Sequence, residues 1–450
     1  MARIFLLTLG CAKNRVDAEV MLGIAVRAGH EVVATAEEAE VLVINTCAFI
    51  LPAREESVEA ILAAAREKAA LPGRRLVVTG CLPQRYREEL ARELPEVDLF
   101  LGTGALDGLA AALATGTWSE ANRLQVGTPH FARADDAPRY RSTKRGTAYV
   151  KISEGCSRSC SYCAIPSIRG PQHSRAPEAV LREVKALVAD GAREINLIAQ
   201  DLTAYGRDAG PTGTDAPTLA RLVRELAAVP GLSWLRLLYA YPTGITDELL
   251  ATIAESPNVV PYLDLPVQHV DDKILRLMRR GYRGDDVRRA LERLRRALPG
   301  LVLRTSLIVG FPGEDEAAFA RLVDFVTKER LARVGVFPFS PEEGTKANTL
   351  PGALPEELIE ARAEHLMDLQ RGISRAHNEA LLGRVVPVLI EGTSEESELL
   401  STGRMATQAP EVDGVVHLAY GADSAPAQAG ELREAHLEQA EDYDLVGVLK

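Results

Sequence analysis

The chain has 450 residues, of which 46% are hydrophobic and 26% charged, and its formal net charge is -11. This length allows about three domains with sizeable apolar cores. The acidic surplus argues against general affinity for nucleic acid, because neutralising phosphates requires a surplus of Lys and Arg. No apolar stretch reaches the roughly 18 residues that cross a bilayer. The apolar run after Met1 is too short for a secretory signal, so we expect a protein of the reducing cytoplasm.

Residues 1–133 alternate short apolar runs with amphipathic stretches, which is the pattern of a doubly wound α/β domain. The apolar runs predict buried parallel strands, and the amphipathic stretches predict helices between them. The predicted strands are Ile4–Leu9, Val41–Ile44 and Leu76–Thr79, and the helices include Asp17–Ala28 and Glu55–Ala70.

Three cysteines follow these strands at or near their carboxyl ends: Cys11, Cys47 and Cys81, here called the dispersed triplet. Because the carboxyl ends of parallel strands lie on one edge of a sheet, we expect the three thiols to converge. The alternative is that they are small buried side chains, which is a common role for cysteine. Their position in strand-end loops favours a site over core packing.

A polar stretch with Pro and Arg, residues 134–146, indicates a linker. Residues 147–383 then show a strand-and-helix rhythm that predicts an open (β/α)6 barrel with chemistry at the carboxyl ends of its strands. A final helix, Pro355–Leu382, is expected to pack across this barrel. The predicted strands are Thr147–Ile152, Glu194–Ala199, Leu235–Tyr239, Tyr262–Leu265, Leu303–Val309 and Val334–Phe339, and the helices include Glu178–Asp190, Leu219–Val229, Val287–Leu298 and Glu316–Glu329.

Residues 384–450 form a third region with short β-like runs separated by turn residues, which predicts a small closed β-barrel. The runs are Val385–Ile390, Leu399–Thr402, Val415–Ala419 and Leu445–Leu449.

A second group of cysteines, the tight triplet, consists of Cys156, Cys160 and Cys163 in the spacing C-x-x-x-C-x-x-C after the first barrel strand. Three thiolates can hold three irons of a cubane cluster and leave the fourth iron open to a further ligand. A zinc site would require a fourth Cys or His at short spacing. The nearest histidine, His173, lies ten residues beyond Cys163, so the spacing favours an iron–sulfur cluster.

The tight triplet resembles the signature of radical S-adenosylmethionine (radical SAM) enzymes, in which the open iron takes the amino and carboxylate groups of SAM. With the motifs around the dispersed triplet, the resemblance to methylthiotransferases extends over essentially the whole chain. These enzymes have an N-terminal cluster domain, a radical SAM barrel and a C-terminal TRAM domain, which is a small OB-like β-barrel. The motifs are Gly10-Cys11-Ala-Lys-Asn14 with Asp17 and Glu19, Asn45-Thr46-Cys47, Gly80-Cys81 and the Cys156–Cys163 loop.

Four further stretches favour the RimO-type branch, which modifies an aspartate of small-subunit ribosomal protein twelve, over the MiaB-type branch, which modifies adenosine in tRNA. They are Gln200-Asp201-Leu-Thr-Ala-Tyr205-Gly206, Tyr239-Ala-Tyr241-Pro242-Thr243, Tyr262-Leu-Asp-Leu-Pro266-Val-Gln268-His269 and Phe339-Ser340-Pro341-Glu342-Glu343-Gly344-Thr345. The chain departs from the branch at Ala12, where Pro is usual, and at Leu202, where a hydroxyl residue is usual. Neither is a presumed iron ligand.

The resemblance implies a radical SAM methylthiotransferase with two 4Fe–4S clusters that produces β-methylthioaspartate. The cluster on the tight triplet would reduce SAM and release a 5′-deoxyadenosyl radical. The cluster on the dispersed triplet would hold the sulfur, and another SAM would supply the methyl group. A cofactor is required because the C–H bond at the β-carbon of aspartate is too weakly acidic for a side-chain base.

Six further residues are candidate contacts of SAM. The resemblance places the aromatic ring of Tyr162 against the adenine, and the others lie on or at the ends of predicted barrel strands, within reach of the SAM amino acid or ribose. These others are Gln200, Asp201, Gln268, Arg304 and Ser306. Each could instead satisfy backbone groups of the loops. For His269 the favoured interpretation is a core histidine whose hydrogen bonds are satisfied.

The expected partners are the basic ribosomal protein, a reducing electron donor such as flavodoxin or ferredoxin, and a sulfur donor, with neither a membrane nor nucleic acid as substrate. The alternative of a tRNA-modifying enzyme draws support from eight arginines within residues 279–296, although such a run more often forms a solvated helix face. A third hypothesis is an iron–sulfur electron carrier or sensor, which leaves the barrel rhythm unexplained.

The acidic surplus of the chain is concentrated in its last region. Residues 385–450 contain thirteen acidic residues against three basic ones. An RNA-binding domain would have the opposite charge, whereas an acidic domain steers towards a basic protein. The charge therefore favours the ribosomal protein as substrate, the alternative being that it serves solubility alone.

Overall fold

The computed structural model describes residues 1–116, 118–128, 137–208, 216–394, 397–421 and 424–450. The predicted boundary at residues 133 and 134 lies outside this part of the chain, as do Glu395, Glu396 and Asp423 of the acidic region. The chain forms two compact units, each described by itself. The first comprises Met1–Ser142, Ser153–Ala179 and Glu342–Thr345, and the second Thr143–Ile152, Val180–Pro341 and Lys346–Lys450.

The first unit contains a parallel six-stranded sheet in the order β2-β1-β3-β4-β5-β6, with helices on both faces. Its centre is buried on both sides: Leu42 and Ile44 pack into one apolar cluster, and Val41 and Val43 into the other. The sheet is the doubly wound α/β fold that the sequence predicts. The strands are β1 (Arg3–Thr8), β2 (Glu31–Val32), β3 (Val41–Thr46), β4 (Arg75–Gly80), β5 (Leu99–Leu101) and β6 (Leu124–Gln125), and the helices are α1 (Ala12–Arg27), α2 (Leu51–Ala70), α3 (Cys81–Glu93) and α4 (Gly108–Thr115).

Helix α1 begins five residues before its predicted start at Asp17. Its first turns bury polar side chains, among them Lys13, Asn14 and Glu19, so the apolar periodicity that marks a helix is missing there. Asn14 is buried against the strand ends that precede the cysteines, where it donates to the carbonyls of Leu9 and Thr46, and Glu19 is buried by its contacts with Arg139 and Ser142.

The segment with the tight triplet also belongs to the first unit. It is bounded by a two-stranded antiparallel ribbon of β8 (Ser153–Glu154) and β9 (His173–Ser174), and it contains the short helix α5 (Ile165–Arg169). Ala164 and Ile168 pack into the same apolar cluster as Cys81 and Leu82.

The second unit contains the predicted open barrel as a parallel six-stranded sheet in the order β14-β13-β12-β11-β10-β7. Its strands pack their apolar faces against the surrounding helices, and α12 lies against β14 and α11. The strands are β7 (Thr147–Lys151), β10 (Glu194–Ile198), β11 (Trp234–Leu237), β12 (Val259–Asp264), β13 (Val302–Val309) and β14 (Arg333–Pro338), and the helices are α6 (Pro177–Ala189), α7 (Leu219–Ala227), α8 (Asp247–Glu255), α9 (Asp272–Leu277), α10 (Gly284–Ala297), α11 (Glu316–Glu329) and α12 (Glu356–Glu379).

The end of the second unit is a closed five-stranded barrel in the order β15-β16-β17-β19-β18. Four strands match predicted runs, and β18 is one that the sequence did not predict. In β18 only Ala435 and Leu437 are fully buried, and its other residues are mostly polar, so it shows no apolar run. The strands are β15 (Val385–Thr393), β16 (Ser401–Met405), β17 (Val416–Tyr420), β18 (Leu432–Ala440) and β19 (Leu445–Leu449).

Within the described part of the chain, no helix combines the length and apolar character needed to span a membrane.

Candidate functional site

The dispersed triplet lies at the carboxyl edge of the first sheet, where β1, β3 and β4 are neighbours. Glycines before two of the cysteines allow the strand ends to approach closely. Gly10 has a φ of +86°, and a Cβ on it would lie 2.7 Å from the Cβ of Cys47. Gly80 has a φ of +97°, and a Cβ on it would lie 2.4 Å from Oδ1 of Asn45. Neither position tolerates a side chain, so glycine is part of the site.

The three thiols lie close enough to influence one another's ionisation. Burial, together with the nearby Cys81 and Cys11, raises the pKa of Cys47 to about 12. Burial likewise raises the pKa of Cys81, while the Arg169 guanidinium acts in the opposite direction. Burial also raises the pKa of Cys11, but Lys13, Arg169 and backbone N–H groups outweigh it, so this pKa lies below its ordinary value. The thiolate is the form of cysteine that binds iron. Lys13 and Arg169 favour this form at the site because their positive charges lower the pKa of nearby thiols.

Arg169 is the buried cation at this site and was not singled out by the sequence. Its Nη1 lies 3.0 Å from Oδ2 of Asp17 and 3.0 Å from Oε1 of Glu154, and its Nη2 donates to Oδ1 of Asn14. The same Nη2 lies 3.6 Å from the sulfur of Cys81. Nothing in the local sequence marks Arg169, because its partners come from three other segments of the chain.

The tight triplet lies on a loop that is closed by backbone hydrogen bonds. The N–H of Cys156 donates to the carbonyl of Gly170 at 3.0 Å, and the N–H of Cys163 donates to the carbonyl of Cys160 at 3.2 Å. The N–H of Arg158 donates to the sulfur of Cys156 at 3.4 Å. All three cysteines are partly exposed, so a ligand from solution can reach this loop. In the dispersed triplet Cys11 is also partly exposed, whereas Cys47 and Cys81 are buried.

The two triplets fit cubane clusters better than a single metal ion. Among the described residues, no three His, Cys, Asp or Glu side chains converge as one metal ion requires. A cubane cluster spreads its cysteines over separate irons, so its ligands do not need to meet at one point. All six cysteines are free thiols, and His173 lies in β9, where it is exposed.

The candidate SAM contacts fall into two places. Tyr162 lies in the tight-triplet loop of the first unit, and the other five lie at β10, β12 and β13 of the second unit. Gln268 has a φ of +70°, a left-handed backbone that side chains rarely adopt and that is often found at functional sites. Its N–H donates to the carbonyl of Ser306, and its carbonyl accepts from the N–H of Ile308, so β13 holds this conformation.

Two of the remaining candidates in the second unit, Asp201 and Arg304, contact other protein side chains. Asp201 is buried and accepts a hydrogen bond from the hydroxyl of Thr203 at 2.7 Å. Nη1 of Arg304 lies 3.0 Å from Oδ1 of Asp264, and Nε lies 3.8 Å from Oδ1 of Asp413 in the closed barrel. An ion-paired structural role is therefore visible for Arg304, and its contact with SAM stays a prediction.

The arginine run at residues 279–296 forms ion pairs with neighbouring helices. Arg288 and Arg295 pair with Glu329, and Arg293 pairs with Asp247. This is the solvated, paired face that such a run usually indicates, and it removes the main sequence support for RNA binding.

His269 is a buried core residue, as predicted. Its Nδ1 accepts the N–H of Asp271 at 2.9 Å, whereas its Nε2 lies 3.3 Å from Oε2 of Glu314 without forming a hydrogen bond. The predicted satisfaction of its hydrogen bonds therefore holds for Nδ1 only.

Comparisons with known proteins agree with this arrangement. Residues 3–102 match the uncharacterized protein family UPF0004, residues 150–326 the Radical SAM superfamily, and residues 382–449 the TRAM domain. The ribosomal protein uS12 methylthiotransferase RimO of Anaeromyxobacter sp. (strain K) is 48% identical over 99% of this chain and 92% of its own. The proteins of that name from Sorangium cellulosum and Geobacter sulfurreducens are 49% and 47% identical, over 99% of this chain and 91% and 98% of theirs. The chain belongs to the RimO family.

Solved structures resemble this RimO-family chain in fold. The radical SAM methyltransferase TsrM from Kitasatospora setae aligns with a TM-score of 0.55 at 16% identity, over 77% of this chain and 74% of its own. The cobalamin-dependent radical SAM enzyme OxsB aligns with a TM-score of 0.53 at 13% identity, over 82% of this chain and 56% of its own. At these identities the likeness is one of fold alone.

Proposed function

We propose that this RimO-family protein is a radical SAM methylthiotransferase that inserts sulfur and a methyl group at the β-carbon of an aspartate in ribosomal protein uS12. The observation that supports it most is that both cysteine triplets belong to one compact unit, in a chain whose near-full-length relatives are named uS12 methylthiotransferases. A reaction that generates a radical at one cluster and takes sulfur from another requires the two to be near each other.

The six cysteines have distinct roles in this proposal. Cys156, Cys160 and Cys163 hold one 4Fe–4S cluster on an accessible loop and leave its fourth iron for SAM. Cys11, Cys47 and Cys81 hold the second cluster at the sheet edge, where the burial of Cys47 and Cys81 limits the access of water to the sulfur to be transferred. When bound, the clusters and SAM supply the electron and the radical that an unactivated C–H bond requires.

The other residues position the reactants. Tyr162 packs against the adenine of SAM, and Gln200, Asp201, Gln268, Arg304 and Ser306 orient its amino acid and ribose. Gln268 is the best supported of the barrel residues, because its strained backbone is held by β13 at the carboxyl end of the sheet. We further propose domains at residues 1–133, 147–383 and 384–450, joined by a linker at 134–146.

The substrate, electron donor and sulfur donor complete the reaction. The acidic TRAM domain attracts the basic uS12, a flavodoxin or ferredoxin supplies electrons, and a separate donor restores the sulfur. We place these reactions in the cytoplasm, where ribosomal proteins are found. The tRNA alternative is not favoured, because the relatives are uS12 enzymes by name and the arginine run is ion-paired.

Mass spectrometry of uS12 and of tRNA from cells that lack this gene tests the proposal. We expect uS12 to lose a methylthio mass and to regain it with the wild-type gene, but not with Cys156→Ala. Loss of methylthioadenosine from tRNA, with uS12 unchanged, would contradict the proposal.

A further inference from the structure

We propose that Arg169 is a positioning residue for the cluster on the dispersed triplet: its Nη2 donates a hydrogen bond to the Cys81 sulfur and raises the reduction potential of that cluster. The inference rests on the proposed function, because it requires a cluster on Cys11, Cys47 and Cys81. It adds to that cluster site a residue from the segment that carries the tight triplet.

The guanidinium of Arg169 is held on one side and donates on the other. Nη1 lies 3.0 Å from Asp17 and 3.0 and 3.2 Å from the two oxygens of Glu154, while Nη2 lies 3.6 Å from the sulfur of Cys81. The side chain is 2% exposed. Since a guanidinium is planar and its donors have fixed directions, the two carboxylates on Nη1 determine where Nη2 points.

Asn14 explains why the donor is required. Its Nδ2 donates to the carbonyls of Leu9 at 3.1 Å and Thr46 at 2.8 Å, which turns its Oδ1 towards Cys81, whose thiol donates to this oxygen with the sulfur 3.6 Å away. When Cys81 binds iron as a thiolate, this hydrogen bond is lost. A carbonyl oxygen beside a thiolate is repulsive. Arg169 donates to both this oxygen and the sulfur, so it makes the pocket suitable for a thiolate.

The position of Arg169 in the chain links the two triplets. It ends helix α5, which begins directly after Ala164, the residue that follows Cys163. Ala164 and Ile168 are 4% and 0% exposed, in the apolar cluster that includes Cys81. The segment that holds the tight triplet therefore also delivers the donor to the dispersed triplet.

The effect on the cluster follows from charge. Hydrogen bonds to the sulfurs and nearby positive charge stabilise the reduced cluster, which is the more negative form, and raise its potential. Arg169 remains charged at every accessible pH, so the donor is permanent. Asp17 and Glu154 partly offset its charge, and removing one of them should act in the opposite direction.

The test uses the full-length chain with Cys156, Cys160 and Cys163 replaced by alanine, so that only the dispersed triplet can hold a cluster. Iron content and the midpoint potential are measured, the latter by a redox titration followed by electron paramagnetic resonance. In this background we compare Arg169→Gln, Arg169→Lys and Glu154→Gln. The matched control is Arg74→Gln, because Arg74 is also buried and its guanidinium donates to the carbonyls of Glu67 and Glu37.

We expect Arg169→Gln to shift the potential to a more negative value, Arg169→Lys to shift it less, and Glu154→Gln to shift it to a more positive value. Arg74→Gln should leave it unchanged. A full cluster with the parent potential in Arg169→Gln overturns the inference and leaves the proposed function intact. If the parent protein, in which Cys156, Cys160 and Cys163 are replaced by alanine, binds no iron, the proposed function itself is overturned. If Arg169→Gln fails to fold, Arg169→Lys and Glu154→Gln provide the test. The inference is overturned if both have the same midpoint potential as the parent protein.

Discussion

Arg404 of the closed barrel forms an ion pair with Glu194, the first residue of strand β10, with Nη2 2.6 Å from Oε2. Arg236 of β11 binds the other oxygen of Glu194 at 2.8 Å, and all three side chains are essentially inaccessible to solvent. Arg404 also donates to Glu391 and to the hydroxyl of Thr147. One buried carboxylate thus fixes the TRAM barrel to the radical SAM sheet within the second unit.

Replacing Glu194 with Gln should destabilise the second unit strongly, because it leaves two buried guanidinium groups without a countercharge. Removing one partner of a buried ion pair costs about 3–5 kcal/mol. Urea unfolding of the cluster-free protein, followed by circular dichroism, measures the change. Glu398→Gln, at an exposed site of the same region, serves as the control and should have little effect. Equal midpoints for the two variants would refute the role of Glu194.

The same carboxylate should make stability depend on pH. Burial acts to raise the pKa of Glu194, but Arg404 and Arg236 outweigh it and lower the pKa to about 2. A lowered pKa gives stability that is present above the ordinary pKa near 4.5 and is lost as the pH falls towards 2. The loss is on the order of 3 kcal/mol. Comparing unfolding free energies of wild type and Glu194→Gln between pH 5 and pH 3 should show a steeper fall for the wild type, and parallel curves would contradict this.

The two triplets should be separable by mutation. Replacing the tight triplet with alanine should halve the iron of anaerobically reconstituted protein and abolish SAM cleavage, because the open iron that binds SAM is lost. Replacing the dispersed triplet should also halve the iron but spare cleavage to 5′-deoxyadenosine and methionine. Iron analysis and chromatography of the products measure both effects. Full iron in the second variant would mean that the dispersed triplet is structural.

Charge on the TRAM barrel should govern association with uS12. Exchanging the exposed Glu398, Glu434 and Glu441 for lysine should weaken binding of uS12 and slow its modification, because attraction between opposite charges speeds encounter. Added salt should slow the wild-type association in the same way. Stopped-flow binding at several salt concentrations measures both.

The control for this experiment reverses the same number of charges on α12, at Glu357, Glu360 and Glu364, which are also exposed. It should retain faster association than the barrel variant. If the two variants associate at the same rate, the barrel has no special part in recognition.

The sequence predicted those features that depend on neighbours along the chain. The apolar strands of the first sheet, such as Val41–Thr46, and the spacing of the tight triplet are local signals, and the convergence of the dispersed triplet follows from the rule for parallel strand ends. Local signals failed where polar residues are buried. Helix α1 starts early because Lys13 and Asn14 face the site, and β18 was missed because few of its residues are apolar.

Only the tertiary structure decided which buried charges meet. Arg169 and Cys81 are 88 residues apart, and Arg404 and Glu194 are 210 apart. No periodicity or spacing relates such pairs, because their contact depends on how whole sheets and helices pack. The sequence by itself determined the class of chemistry through its cysteines, and the packing determined which cations support those cysteines and which carboxylate joins the two barrels.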